Sequence, residues 1–254
     1  MDIRKLLGLP DLLDVRSVVC VQPHPDDNEV GAAGTLLALA ERGCKIVFVT
    51  VTDGGAGVPN LTMSREEIVE IRREERLNSG RLLGVSEQLE LGFPDAGQYM
   101  EEEVVQRLIP ILREHRPELV MTVDPWMPYE AHPDHIKTGH AVAQAMLFSG
   151  NQATQREAGQ PYTVPQIAFY ASSHPNTYID VTPYWERKLS AILAHKSQFE
   201  NAEWPLLSNF FAYQAQQLYQ AGHTEARTDE ARYAEAFKLL SVRQLHFFPT
   251  ALYS

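Results

Sequence analysis

The feature that most constrains this chain is a repeated change of period. Short apolar runs, SVVCVQ (17–22), KIVFVTV (45–51), QLELG (88–92) and ELVMTV (118–123), alternate with longer segments whose apolar residues recur at helical spacing. Helices are predicted over 31–43, 64–84, 101–116 and roughly 135–149. Ser64, with Glu67 three residues later, reads as a capping box. Gly43 suits the left-handed position just past a helix end. Continuously apolar strands alternating with helices need cover on both faces. The expected fold is therefore α/β and Rossmann-like, a mostly parallel sheet with helices on both faces and right-handed crossovers. After a polar segment at 150–165 the pattern loosens. Strands are expected near 166–172 and 177–181, helices near 183–197, 205–221 and 228–240, and a last apolar stretch at 242–248, VRQLHFF. These make a C-terminal α+β extension of about 151–254 on a core of about 15–150, with 1–254 reading as a single domain.

In an open parallel sheet, ligands bind beyond the carboxyl ends of the strands. Ionisable residues gather at that edge here. His24, Asp26 and Asp27 follow the first run, Asp53 the second, Asp95 the third, and the segment Asp124 to His135 the fourth. HPDD (24–27) and HPDH (132–135) each set two potential metal donors three residues apart. His24, Asp27 and His135 together would make a three-ligand site of the kind zinc hydrolases use, with one position left for water. Asp26 would then be the carboxylate free to take a proton. Each motif also has a plain reading, in which an Asp caps the following helix. Asp134 in particular reads as a cap. Two such motifs at one sheet edge favour a site.

The formal net charge of −11 excludes a basic footprint for nucleic acid or an anionic membrane surface. Cys20 and Cys44 lie in or beside strand runs and read as buried free thiols in a reducing cytoplasm. With no CxxC spacing, a cysteine-based zinc site is excluded. The opening MDIRKLLGLPDLLDVR is amphipathic and has no apolar h-region, so neither a signal peptide nor a membrane span is expected.

HPDD at 24–27, GAAGT at 31–35, TDGG at 52–55 and HPDH at 132–135 resemble the motifs of the LmbE/PIG-L family of zinc-dependent N-acetylglucosamine deacetylases. The resemblance covers about residues 15–150. It implies zinc held by His24, Asp27 and His135, Asp26 as catalytic base, and His132 facing the substrate. It also implies that Arg72 and Asp95 serve the sugar or its surroundings. Within the family the sequence is most similar to the diacetylchitobiose deacetylases of chitin breakdown, which implies an oxyanion role for His246 and a homo-oligomer, hexamers being common among such relatives. Asn28 stands where many relatives have Glu, and Ala33-Gly34 replaces a glycine pair. Trp126 and Tyr129 are candidates to line a sugar site, and packing explains them as well. The remaining histidines, His115, His140, His174, His195 and His223, read as structural or surface residues. The substrate-selecting loops are expected at 54–63, 93–100 and 150–165.

The expected activity is hydrolysis of the N-acetyl group of N-acetylglucosamine or its disaccharide. The alternative substrate is a glucosaminyl thiol precursor of the bacillithiol or mycothiol type, or another N-acetyl glycoconjugate. Outside this chemistry, a two-histidine, one-carboxylate iron oxygenase fits the same donors. A nucleotide module built on GAAGTL lacks the GxGxxG or GK[ST] pattern. A metal-free binding protein is the remaining alternative.

Overall fold

A computed structural model describes residues 3–57, 62–223, 230–247 and 251–253. A single turn, α1 (Ile3–Leu6), precedes the first strand, β1 (Ser17–Gln22). There follow α2 (Asp27–Glu41), β2 (Lys45–Thr52), α3 (Arg65–Leu83), β3 (Glu87–Phe93), α4 (Glu101–His115), β4 (Leu119–Val123) and α5 (Pro133–Ser149). The sheet order is β3-β2-β1-β4, continued by β5 (Gln166–Tyr170), β7 (Ala234–Ser241) and β6 (Thr177–Asp180). Strands β1 to β5 pair in parallel. β7 runs antiparallel to both β5 and β6. The order reverses between β1 and β4, the switch point at which such sheets open a crevice. The C-terminal strands thus extend the core's own sheet.

The apolar runs are buried on both faces because alternate side chains serve different cores. Val18, Cys20, Ile46 and Phe48 pack with Leu36, Leu37 and Leu39 of α2 on one face. Val19, Val21, Val47 and Val49 pack with Val104 and Leu108 of α4 and Met146 of α5 on the other. α2 lies tight on the sheet, and its small residues allow this. A Cβ on Gly31 would fall 2.4 Å from the Tyr170 ring, and one on Gly34 2.6 Å from Val181. That close approach presses the start of α2 onto the sheet edge.

The predicted capping box at Ser64 and Glu67 is present. Gly43 adopts a φ of +78° just past α2. α2 begins four residues before the expected 31, at Asp27, so the second aspartate of HPDD is already helical. The helix expected at 183–197 is interrupted. α6 (Trp185–Leu193) and α7 (Lys196–Phe199) are separate, with α8 (Trp204–Gly222) after them.

The helix expected over 228–240 is a correction. Residues 228–229 lie outside the described residues, and Ala234–Ser241 is strand β7. Its Ala, Glu, Lys and Leu favour helix locally, but insertion between β5 and β6 gives both of its edges ladder partners, and tertiary pairing overrides propensity. The closing apolar stretch is likewise not a strand: Val242–Leu245 is a 3₁₀ turn, and Phe248 lies outside the described residues. Among the described residues, no helix is long and apolar enough to cross a membrane.

Candidate active site

The edge of the sheet beyond β1, β2, β3 and β4 carries a cluster of histidines and carboxylates. His24 leaves the end of β1. Its backbone N–H donates to Asp27 Oδ2 at 2.8 Å, so the first turn of α2 folds back on the strand end. Asp27 is therefore engaged with His24, and Asp26 forms no side-chain cap at all. Asp26 sits at φ 134°, a conformation that costs a non-glycine residue about 1–3 kcal/mol and persists only where surroundings enforce it. The capping explanation of HPDD does not describe this geometry.

Asp27 lies between two imidazoles. Its Oδ2 is 3.2 Å from His24 Nδ1 and its Oδ1 is 3.4 Å from His135 Nε2. The donors of His24, Asp27 and His135 all fall within 4.8 Å of one another. The far nitrogen of each ring has its own carboxylate. His24 Nε2 is 3.1 Å from Asp134 and 3.2 Å from Asp95. His135 Nδ1 is 3.1 Å from Glu130. Such partners fix which nitrogen faces inward and raise its basicity as a ligand. A second donor group, His24, Asp95, His132 and Asp134, is equally compact, but it uses the carboxylates that hold the back of His24. The arrangement fits a divalent metal on the His24, Asp27 and His135 side.

The electrostatics follow from this crowding. Burial alone would lower the His24 pKa, but hydrogen bonds to Asp134, Asp27 and Asp95 outweigh it and push it up to about 12. Burial would raise Asp27, but the His24 hydrogen bond and charge bring it down to about 2. Asp95 is held well below the usual carboxylate range, mainly by His24 against the cost of burial. Asp26 goes the other way. Burial raises it to about 6, with the Asp27 charge adding to that and Arg72 opposing it. Two adjacent carboxylates thus have separated acidities, which is the pattern of a ligand beside a proton acceptor. His132 is lowered, by burial first and then by the charges of His24 and His135, so its ring is neutral. Its Nδ1 accepts the Asp134 amide N–H at 3.3 Å, which leaves the ring proton on Nε2.

Beside the cluster lies a cleft of about 280 Å³, lined by His24, Asp26, Ala56, Gly57, Arg72, Asp95, Ala96, His132 and Gln198. The sequence-predicted residues divide around it. His24, Asp26, Arg72, Asp95 and His132 face it, and Asp27 and His135 adjoin His24 without lining it. Arg72 is buried, and its Nη atoms donate to Gly54 O at 3.1 Å, Pro25 O at 2.8 Å and Asp26 Oδ2 at 2.9 Å. Its described role is to hold Asp26. Asp95 accepts the Ala56 and Ala96 amides at 3.0 and 2.6 Å. Gly57 is needed for close approach, since a Cβ there would lie 2.5 Å from Arg72 Nη1. Asp53, also at this edge, is spent on Arg65 at 2.6 Å.

Three expected residues are not brought to the cleft within the chain. Trp126 packs its ring against His140 and Phe169 and borders a different cavity. Tyr129 is fully exposed. His246 is exposed and touches Phe247. It follows the 3₁₀ turn Val242–Leu245, whose Gln244 and Leu245 border the cavity of Trp126 and not the cleft. The 150–165 segment is also elsewhere. Arg113 of α4 ties it down by donating to Asn151 O, Thr154 O and Gln155 O.

Sequence reasoning missed Glu130, Gln198 and the true part played by Asp134. Asp134 is wholly buried and does not cap α5; its Oδ2 meets His24 Nε2 and accepts the Ala96 amide at 2.9 Å. Glu130 lies five residues before His135, in the loop that leads into α5, which was the available signal. Gln198 carried none.

Residues 19–146 match the family described as PIG-L: GlcNAc-PI de-N-acetylase. A diacetylchitobiose deacetylase of Thermococcus kodakarensis is 33% identical over 245 residues, covering 94% of this chain and 88% of that protein. A probable N-acetyl-alpha-D-glucosaminyl L-malate deacetylase 2 of Bacillus anthracis is 34% identical over 198 residues, 72% of this chain and 82% of that protein. Among solved structures, the N,N'-diacetylchitobiose deacetylase of Pyrococcus horikoshii, complexed with its inhibitor MPG, superposes with a TM-score of 0.89 at 33% identity, covering 97% of this chain and 92% of its own.

Proposed function

The chain belongs to the PIG-L family of de-N-acetylases, and from that premise we propose that it is a zinc-dependent hydrolase. It removes the acetyl group from N-acetylglucosamine or its β-linked disaccharide. The observation that carries this reading is the trio His24, Asp27 and His135, each imidazole braced by a carboxylate on its far nitrogen, with Asp26 beside them and outside the trio. Zinc held by these three would supply Lewis acidity at the acetyl carbonyl and acidify a water molecule.

The chain's own residues account for the rest. Asp26, kept ionised near neutral pH yet with its acidity weakened towards about 6, takes the proton of the attacking water as its oxygen bonds to the carbonyl carbon. Arg72 fixes the carboxylate at 2.9 Å and holds the Pro25 carbonyl, so the strained Asp26 backbone cannot relax. The carbonyl oxygen gains negative charge, and the neutral His132 ring, with its proton on Nε2, donates a hydrogen bond to it. The C–N bond then breaks, and protonated Asp26 returns its proton to the leaving nitrogen. Acetate and an amino sugar are the products. Lowered Asp95 and Asp27 leave the site anionic, which suits the ammonium that the product amine becomes.

The B. anthracis relative supports a second reading, with glucosaminyl malate as substrate and the same chemistry. We also propose a homo-oligomer working in a reducing cytoplasm. Leu206, Phe210 and Tyr213 form an exposed stripe at helical spacing on α8, and both cysteines are free and buried. The test is acetate release from N-acetylglucosamine, diacetylchitobiose and N-acetylglucosaminyl malate by zinc-loaded and chelated protein. Metal-dependent release is expected, fastest on the first two. Bound zinc with no release from any of the three would overturn the reading.

A further inference from the structure

Among the described residues, α7 is the part of the C-terminal extension that lines the cleft. Gln198 lines it together with Asp26 and His132. Its Nε2 donates to Gly57 O at 2.8 Å and to Ser197 Oγ at 3.0 Å. A carbonyl oxygen can only accept, so the amide nitrogen must face Gly57. Oε1 is left as an acceptor with no hydrogen bond to any described residue.

The segment is held by devices that surface packing alone does not call for. Glu75 of α3 is buried, and its two oxygens accept Ser197 N–H and Ser197 Oγ–H, each at 2.7 Å. Next to it His195 is completely buried, with Nε2 3.3 Å from the equally buried Glu29 of α2. A four-residue stretch is thus fastened to the helix that carries Asp27 and to the helix that carries Arg72. Fixing a side chain this firmly serves recognition, because the ordering cost falls on folding and not on binding.

We propose that Gln198 is a substrate-binding residue whose Oε1 accepts a hydrogen bond from a ring hydroxyl of the N-acetyl sugar, with Glu75 as its positioning residue. This rests on the proposed function. It adds a contact from the C-terminal half to a site otherwise built from residues 24–135.

The test compares N-acetylglucosamine with its 3-, 4- and 6-deoxy analogues on zinc-loaded wild type, Gln198→Met and Glu75→Gln. Methionine keeps the side-chain volume and removes the amide. Acetate release gives kcat and KM, and saturation-transfer NMR gives sugar binding without turnover. Gln198→Met is expected to raise KM about tenfold with kcat within about threefold, the size of one lost hydrogen bond. One deoxy analogue should be as poor for wild type as the parent sugar is for Gln198→Met, and should lose nothing more in the variant. Glu75→Gln should show the same analogue dependence, weaker. An unchanged KM in Gln198→Met, or an equal loss on every analogue, overturns the inference while leaving the deacetylase standing. If wild type binds the sugar but releases acetate neither from it, nor from diacetylchitobiose, nor from N-acetylglucosaminyl malate, the proposed function fails, and the NMR comparison still decides the contact. If wild type does not bind it, both fail.

Discussion

Two histidines in this protein lie against carboxylates of the same helix, and they differ in kind. His24 meets Asp27, and His195 meets Glu29. Asp27 and Glu29 are two residues apart, hence about 200° apart around α2, and point to opposite sides of it. On the His24 side a further imidazole, His135, joins the pair, and a cleft opens beside them. On the His195 side both residues are completely buried. The same chemical pair is therefore a candidate metal site where a third donor and a cleft are at hand, and an anchor where both partners are sealed in the core.

Breaking the first side has the largest effect. His24→Ala removes a ligand and leaves Asp27, Asp95 and Asp134 crowded without a counter-charge. Zinc content should fall to background and acetate release with it, measured by metal analysis alongside the assay. Asp26→Asn keeps all three ligands and removes the proton acceptor. Turnover should drop about 10²–10⁴-fold at unchanged metal content, and retention of more than a tenth of the rate would refute the base assignment.

Breaking the second side should separate stability from chemistry. Glu29→Gln leaves His195 buried without its charge partner. Loss of one member of a buried pair costs about 3–5 kcal/mol. Denaturant unfolding should report that loss, while the surviving folded enzyme keeps its metal. Lost metal at unchanged stability would mean that the two sides are not distinct.

A third measurement sharpens the first side alone. Without metal, the raised His24 pKa means that Nδ1 carries a proton at neutral pH, and zinc must displace it. Asp27, lowered, is already ionised and releases none. Loading should weaken as pH falls, about tenfold per unit for one displaced proton, so about 10² between pH 8 and pH 6. Calorimetry in buffers of different ionisation enthalpy counts that proton. The smallest effect is expected at Tyr129, which is fully exposed in the loop between β4 and α5. Tyr129→Ala should leave kcat/KM within about threefold, and a larger loss would restore it to the sugar site.

These differences mark what could be read from the residues. HPDD and HPDH were legible because their spacing alone sets donors at the starts of two helices, and the strand runs put those starts at one sheet edge. β7 was not, because its sequence favours helix and only the empty place between β5 and β6 makes it a strand. Gln198 was not, because it acts through Gly57, 141 residues away, and its neighbour Ser197 through Glu75, 122 away. No local pattern encodes such a meeting.

By itself the sequence determined the α/β alternation, the Ser64 capping box and the gathering of histidines and carboxylates at one sheet edge, since all of these depend on neighbours a few residues apart. The tertiary structure alone decided which histidine faces a cleft and which is sealed, that Arg72 holds Asp26, that Asp134 and Glu130 brace His24 and His135, and that His246 does not line the cleft. The physical reason is the same in each case. Burial, solvent access and the partners of a buried charge are properties of the packed molecule, and the chain acquires them only when distant segments close on one another.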